Sequence, residues 1–275
     1  MAVARVKKRP KRPAFAASTW AALADAPSAA PARFDPATLD ALPAPAQRFL
    51  EQALPAGVAL STAVVLGMEG EIKLGDRWLG FTAEQILRAA TGLVWAPTVG
   101  GRVLRFTGAD AFGPACARVE FRLLGCIPVV RAAGPDVLRS AQGRLAAETV
   151  AWLPQALAPQ SGARWRGIDD DRAGVTVDAA GKEVDVEVAV DDDGRIRSLE
   201  LQRWRDSAEP PAYAPFGGTV DSTWTTGSGV NIAGSGTVGW DLHTPRQADG
   251  VFFRYRITAA DFVTEQGTAH DPSGR

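Results

Sequence analysis

From Thr62 onward the chain alternates. Val64, Leu66, Met68, Ile72 and Leu74 fall at even positions, with Glu69, Glu71 and Lys73 between them. Successive side chains on a strand point to opposite faces, so this spacing predicts one strand of about thirteen residues, roughly 40 Å long, with one dry face. Gly75-Asp76 is a two-residue hairpin signal. It returns the chain through Arg77 to Leu87, with Leu79, Phe81, Ala83 and Leu87 on one face. Paired strands this long twist strongly and curl toward a barrel.

The same pattern continues. Leu93 to Ala96, Arg102 to Thr107, Ala115 to Leu124 and Ile127 to Arg131 read as strands. So do Arg164 to Ile168, Gly174 to Val177, Val184 to Val190 and Arg195 to Arg205. After a proline-rich stretch read as a loop, Glu209 to Gly218, come Thr219 to Thr226, Val230 to Leu242 and Val251 to Thr258. One segment breaks the alternation. From Asp136 to Leu157, Leu138, Ala141, Leu145, Glu148 and Trp152 recur at steps of three and four, so they share a helix face. Pro154 stops or kinks that helix.

Alternation of this kind argues one covered face per strand, not a parallel doubly wound sheet. The expected fold is mainly β with α (α+β). It is a strongly curved antiparallel sheet or open β-barrel of about a dozen strands, with the central helix (136–157) across its concave face. Residues 1–33, basic and then Ala/Pro-rich, read as a mobile arm holding one short helix near Trp20. Residues 34–264 read as a single β-rich domain that opens with two helices, one started by Asp35-Pro36 and one over Pro45 to Leu54. Residues 265–275 read as a frayed tail.

Charge narrows the function classes. Net charge is −1, from 30 basic and 31 acidic residues. Arg5, Lys7, Lys8, Arg9, Lys11 and Arg12 crowd the first twelve positions. The body is therefore acidic, which argues against a nucleic-acid-binding fold. The arm is expected to make at most weak peripheral membrane contact through residues 5–12. No apolar run approaches the ~20 residues that span a bilayer, and no signal-peptide core is visible. Two cysteines, Cys116 and Cys126, are too few for a disulfide framework. The expected setting is cytoplasmic.

Several chemistries lack support. Gly234-Ser235-Gly236-Thr237-Val238-Gly239 has the spacing of a dinucleotide fingerprint, but Val230, Ile232, Val238, Trp240 and Leu242 run through it at period two. Glycines inside a strand more often mark close backbone approach. Cys116, Cys126, His243 and His270 have no zinc-ligand spacing. There is no G-x-S-x-G, and the acidic runs Asp169–Asp171 and Asp191–Asp193 lack the other ligands of a calcium loop. No metal and no cofactor is expected.

The unusual feature is Glu148, a carboxylate within the apolar stripe of the central helix. Arg144, one turn earlier, can bridge to it. A buried carboxylate needs a cation or hydrogen bonds, so a structural ion pair with Arg144 or with a strand arginine such as Arg203 is one reading. A polar anchor or a general acid in an apolar cavity is the other. Trp78, Trp95, Trp152, Trp165, Trp204, Trp224 and Trp240 all fall on predicted strands or on the helix; most belong to the core, and some can line a cavity.

Specific stretches carry a resemblance. From about Leu42 to Phe262 the chain is similar to a family of bacterial proteins built on a domain of unknown function. The matching segments are LPAPAQRFL, GEIKLGDRWLGFTAEQIL, GLVWAP, Arg144 to Leu157 around E-x-x-x-W-L-P, RWRGIDDDRAGVTV, Arg203-Trp204 and APFGGTVD. The chain has Asp110-Ala111-Phe112 where the family usually has Asp-x-Tyr, and Ile232-Ala233 where it usually has Ile-Pro. The layout also looks like the lipoprotein-carrier fold, an unclosed barrel with helices as a lid over a hydrophobic cavity. The resemblance implies no activity.

The favoured function is non-enzymatic binding of a small hydrophobic molecule, a lipid or acyl chain, between curved sheet and central helix. Candidate ligand-binding residues are Glu148, Arg144, Trp152, Trp95, Asp110, Arg203 and Trp204. One alternative is an enzyme with Glu148 as general acid or base, and Arg144, Asp110 or Arg203 holding an anionic group. Another is an interaction scaffold using the loop Glu209 to Gly218. Oligomeric state is left open.

Overall fold

The structure, a computed structural model, describes residues 12–26, 32–101, 104–114 and 116–263. The basic run 5–11 and the tail from 264 lie outside the described residues. Among the described residues thirteen strands form one antiparallel sheet. The first six are β1 (Ala63–Leu74), β2 (Arg77–Arg88), β3 (Gly92–Gly100), β4 (Arg105–Gly113), β5 (Cys116–Leu123) and β6 (Ile127–Ala133). The other seven are β7 (Arg164–Gly167), β8 (Arg172–Asp178), β9 (Glu183–Val190), β10 (Ile196–Arg205), β11 (Ala212–Thr225), β12 (Asn231–Trp240) and β13 (Val251–Phe262).

Each half is a simple meander, and the two halves join where β1 pairs with β13. The outer edges are therefore β6 and β7, which are consecutive strands in the chain. Between them runs the long helix, Pro135–Trp152, here called α3 since α1 is Ala14–Ala24 and α2 is Ala44–Ala53. Laid flat, thirteen strands would put their outer edges about 58 Å apart. An 18-residue helix reaches about 27 Å, and the 3-10 turns Pro154–Leu157 and Pro159–Ser161 add about 14 Å at most. The sheet must curl for its edges to be connected, and α3 lies across the hollow. It touches β2, β3, β5 and β6 of one half and β8, β9, β10 and β12 of the other. The edges do not pair with each other, so the barrel stays unclosed.

The β1–β2 hairpin has the expected register around Gly75-Asp76, with Leu74 opposite Arg77 and Gly75 at φ +59°. Val64, Leu66, Met68, Phe81, Ala83 and Leu87 are buried in the main core with Leu145, Val150 and Trp152 of α3. Leu138, also assigned to the helix's apolar stripe, is instead 39% exposed.

Two further differences from the sequence expectations bear on function. First, the short helix expected near Trp20 is α1, and it packs on the convex face. Its Ala16 and Leu23 meet Ile86, Val94, Ala109 and Ala111 in a second small core. Strands β2 to β4 are thus covered on both faces at this point, which accounts for the unbroken apolar run Leu93-Val94-Trp95-Ala96. Arg88 fastens the helix by donating to the Leu23 and Ala24 carbonyls at its C-terminal end, where a cation is favoured. Burial lowers the pKa of this guanidinium. Second, most of Glu209 to Gly218 is not a loop, because β11 begins at Ala212. Residues Ala212 to Ala214 pair with β10 alone, the Pro215 carbonyl accepts from Asp241 N, and β12 joins from Phe216. Proline is tolerated where one side of a strand is unpaired.

Candidate functional site

Strand register brings three side chains into one row. Gln85 on β2 lies opposite Trp95 on β3, which lies opposite Asp110 on β4. Residues opposed across a sheet point to the same face, and this row faces α3. Above it, Arg144 and Glu148 occupy one side of the helix a turn apart. Arg144 Nη1 donates to Asp110 Oδ2 at 2.5 Å, and its Nε donates to Glu148 Oε1 at 2.6 Å. Gln85 completes the ring. Its Nε2 donates to Glu148 Oε2 at 2.6 Å, and its Oε1 accepts from Arg144 Nη2 at 3.5 Å. The Arg144 guanidinium also lies 5.5 Å from the Trp95 ring centre.

Glu148 is thus an ion-paired carboxylate with both oxygens engaged. Burial pulls the Arg144 pKa down, but the charges of Glu148 and Asp110 outweigh it and leave it raised. Asp110, one of the three residues offered for holding an anionic group, has its carboxylate bound to the Arg144 guanidinium instead. Gln85 was missed at the sequence level. It continues the inward series Leu79, Phe81, Ala83 and Leu87, and a fully buried amide at such a position was a readable signal for a polar partner.

Beside this ring is a cavity of about 270 Å³. Six of the seven predicted residues line it: Glu148, Arg144, Trp152, Trp95, Asp110 and Arg203. Its apolar walls come from both meanders and the helix, with Ile72, Ala147, Ala151, Leu199, Val238 and Phe253 among them. Gly217 and Gly218 of the Phe216-Gly217-Gly218 run border it without side chains to fill it. Trp152 fixes one wall: its Nε1 donates to the Ala233 carbonyl at 3.1 Å, and its ring meets Tyr255 edge-on at 5.4 Å. Burial pushes the Tyr255 phenol well above its ordinary pKa.

The seventh residue, Trp204, does not line this cavity. It follows Arg203 on a strand, and successive strand residues point opposite ways. Its ring packs on Tyr213 at 5.2 Å, under Arg139 at 4.4 Å, in a separate depression.

Arg203 enters the cavity differently from Arg144. Its Nε donates to the Ser140 carbonyl at 3.0 Å and its Nη2 to Ser140 Oγ at 3.3 Å. Its guanidinium sits 4.4 Å from the Phe216 ring centre and 5.4 Å from that of Trp240. Among the described residues no carboxylate approaches it within 4.0 Å. Burial, with repulsion from Arg144, lowers its pKa to about 10; it remains a cation at neutral pH.

The glycine-rich stretch of β12 is structural. Gly234, Gly236 and Gly239 pass so close to neighbouring backbone that a Cβ on any of them would collide with it.

The fold and site together define an open, helix-roofed β-barrel with an internal cavity. The chain belongs to the DUF6544 family, a family of unknown function, whose pattern matches residues 32–253. No curated protein matches it significantly. Among solved structures it is similar to a DUF1329 family protein from Desulfovibrio piger, at 10% identity and a TM-score of 0.39, over 86% of this chain and 96% of that one. It is also similar to a domain assigned as an outer membrane lipoprotein-sorting protein from Vibrio parahaemolyticus, at 9% identity and a TM-score of 0.37, over 76% and 87%. A LolA superfamily protein from Nitrosomonas europaea matches at 10% identity and a TM-score of 0.36, over 79% and 91%. Among the described residues no helix is long and apolar enough to cross a membrane.

Proposed function

We propose that this chain binds a small hydrophobic molecule, without catalysing a reaction, in the space between the curved sheet and α3. The observation that supports this is the cavity's construction: apolar walls drawn from both halves of the sheet, with its acids tied up by Arg144 and Gln85. A concave, mostly apolar pocket with a few placed polar groups is the usual form of a small-molecule site. The volume is just below the ~300–1,000 Å³ common for such sites, which suits one chain or one small ring system. A general acid or base at Glu148 is the weaker alternative, because each of its oxygens already has a partner. We include cytoplasmic residence in the proposal, in keeping with two unbridged cysteines, Cys116 and Cys126.

The test is Ala151→Phe, which places a ring inside the cavity from the α3 side. Native mass spectrometry of gently purified wild-type protein is expected to show a bound apolar molecule, absent from the variant. The variant's melting temperature should stay within a few degrees of the wild type. An empty wild-type protein that also fails to bind an apolar fluorescent probe would refute the proposal.

A further inference from the structure

We infer that the ligand is a singly charged amphiphile, with one apolar chain in the cavity and a carboxylate-like head on Arg203. This rests on the binding function proposed above and specifies its ligand class. The two arginines of the cavity are not equivalent. Arg144 is neutralised twice, by Asp110 and by Glu148. Among the described residues Arg203 has the Ser140 carbonyl and hydroxyl as its hydrogen-bond acceptors, and aromatic faces beside it. Removing a charge from water without a counter-ion is unfavourable unless something else compensates. Two neutral oxygens and two rings compensate in part.

Geometry says what would complete it. A guanidinium is a planar fork that matches a carboxylate with two parallel hydrogen bonds. The Ser140 contacts engage Nε and Nη2, and no hydrogen bond from Nη1 is found among the described residues. Arg203 itself lines the cavity. Charge selects the head further. Asp110 and Glu148 line the same cavity, so a second negative charge on the head would be repelled. A monoanion therefore fits better than a phosphate monoester. The apolar walls, Ile72, Leu199, Val238 and Phe253 among them, receive the chain.

The experiment is calorimetric titration of the full chain with dodecanoate, dodecanol and acetate, and with a monoacyl phosphatidylglycerol. Dodecanoate is expected to bind at least tenfold more tightly than dodecanol, and acetate not measurably. Arg203→Met should abolish the preference for dodecanoate over dodecanol, while Arg203→Lys keeps part of it. Preference for the monoacyl phosphatidylglycerol over dodecanoate would assign the monoanion to a lipid headgroup; the reverse would assign it to a free acid. Equal affinity of wild-type protein for dodecanoate and dodecanol overturns the anionic-head inference and spares the binding function. No binding of any apolar compound overturns both. The wild-type comparison of acid with alcohol decides the point even if Arg203→Met fails to fold.

Discussion

Arg203 lies across the surface of α3 at Gly143. A Cβ on Gly143 would stand 2.9 Å from Arg203 Cγ and 3.4 Å from its Cβ. The helix thus has a notch at the place where the arginine stem crosses it, and the stem delivers the guanidinium to Ser140 one turn away.

The notch makes Gly143→Ala informative. Alanine favours a helix by about 1 kcal/mol over glycine, so an unobstructed site would gain stability. Here the arginine stem must move, at the risk of both bonds to Ser140, each worth about 1.5–3 kcal/mol when the donor is charged. The expected result is a net loss of about 1 kcal/mol, a fall in melting temperature of about 2–4 °C. A stabilised variant would show that the stem yields freely.

The ring of Asp110, Arg144, Glu148 and Gln85 predicts strong non-additivity. Arg144→Met leaves two largely buried carboxylates facing each other without a cation, at a cost of about 3–5 kcal/mol. Asp110→Asn and Glu148→Gln added to it remove the stranded charges, so the triple variant should recover most of the loss. Chemical denaturation of the single, double and triple variants measures this. A triple variant as unstable as the sum of its parts would disprove the charge explanation.

A pH effect is expected on the other face of the sheet. Glu120 accepts from Arg122 Nε at 3.0 Å and from Arg118 Nη2 at 2.5 Å, with Arg131 3.6 Å away. The Arg122 and Arg118 guanidiniums hold its carboxyl below the usual carboxylate pKa. A depressed pKa in the folded state contributes stability above the unfolded value, about 4.3. That contribution is lost as pH falls through the folded value. Wild-type protein should therefore exceed Glu120→Gln in melting temperature at neutral pH, and the gap should close progressively below about pH 4.3. A gap independent of pH would point to packing instead.

Much of this molecule was legible in the sequence where the signal is local. Alternation and Gly75-Asp76 located the first hairpin because strand period and turn chemistry are properties of neighbouring residues. The three-four spacing placed Glu148 beside Arg144 for the same reason. Gln85 was passed over because it interrupts an apolar series, although that interruption is what marks its role. The start of β11 was hidden by Pro210, Pro211 and Pro215, since proline signals a loop unless the strand's unpaired side is known. Trp204 was named beside Arg203 as a candidate, although neighbours on a strand point to opposite faces. The partnership of β1 with β13 has no local signature at all.

That partnership governs how the molecule can be made. Val64 faces Phe262 across the seam, so the first strand of the sheet has one neighbour early and must wait for the other until β13 has been translated. At ordinary elongation rates the delay is on the order of ten seconds or more. Throughout it the nascent chain carries a bare backbone margin able to pair with strangers. Ribosome-bound chains ending before Val251 should accordingly be captured by holding chaperones, and full-length chains released from them.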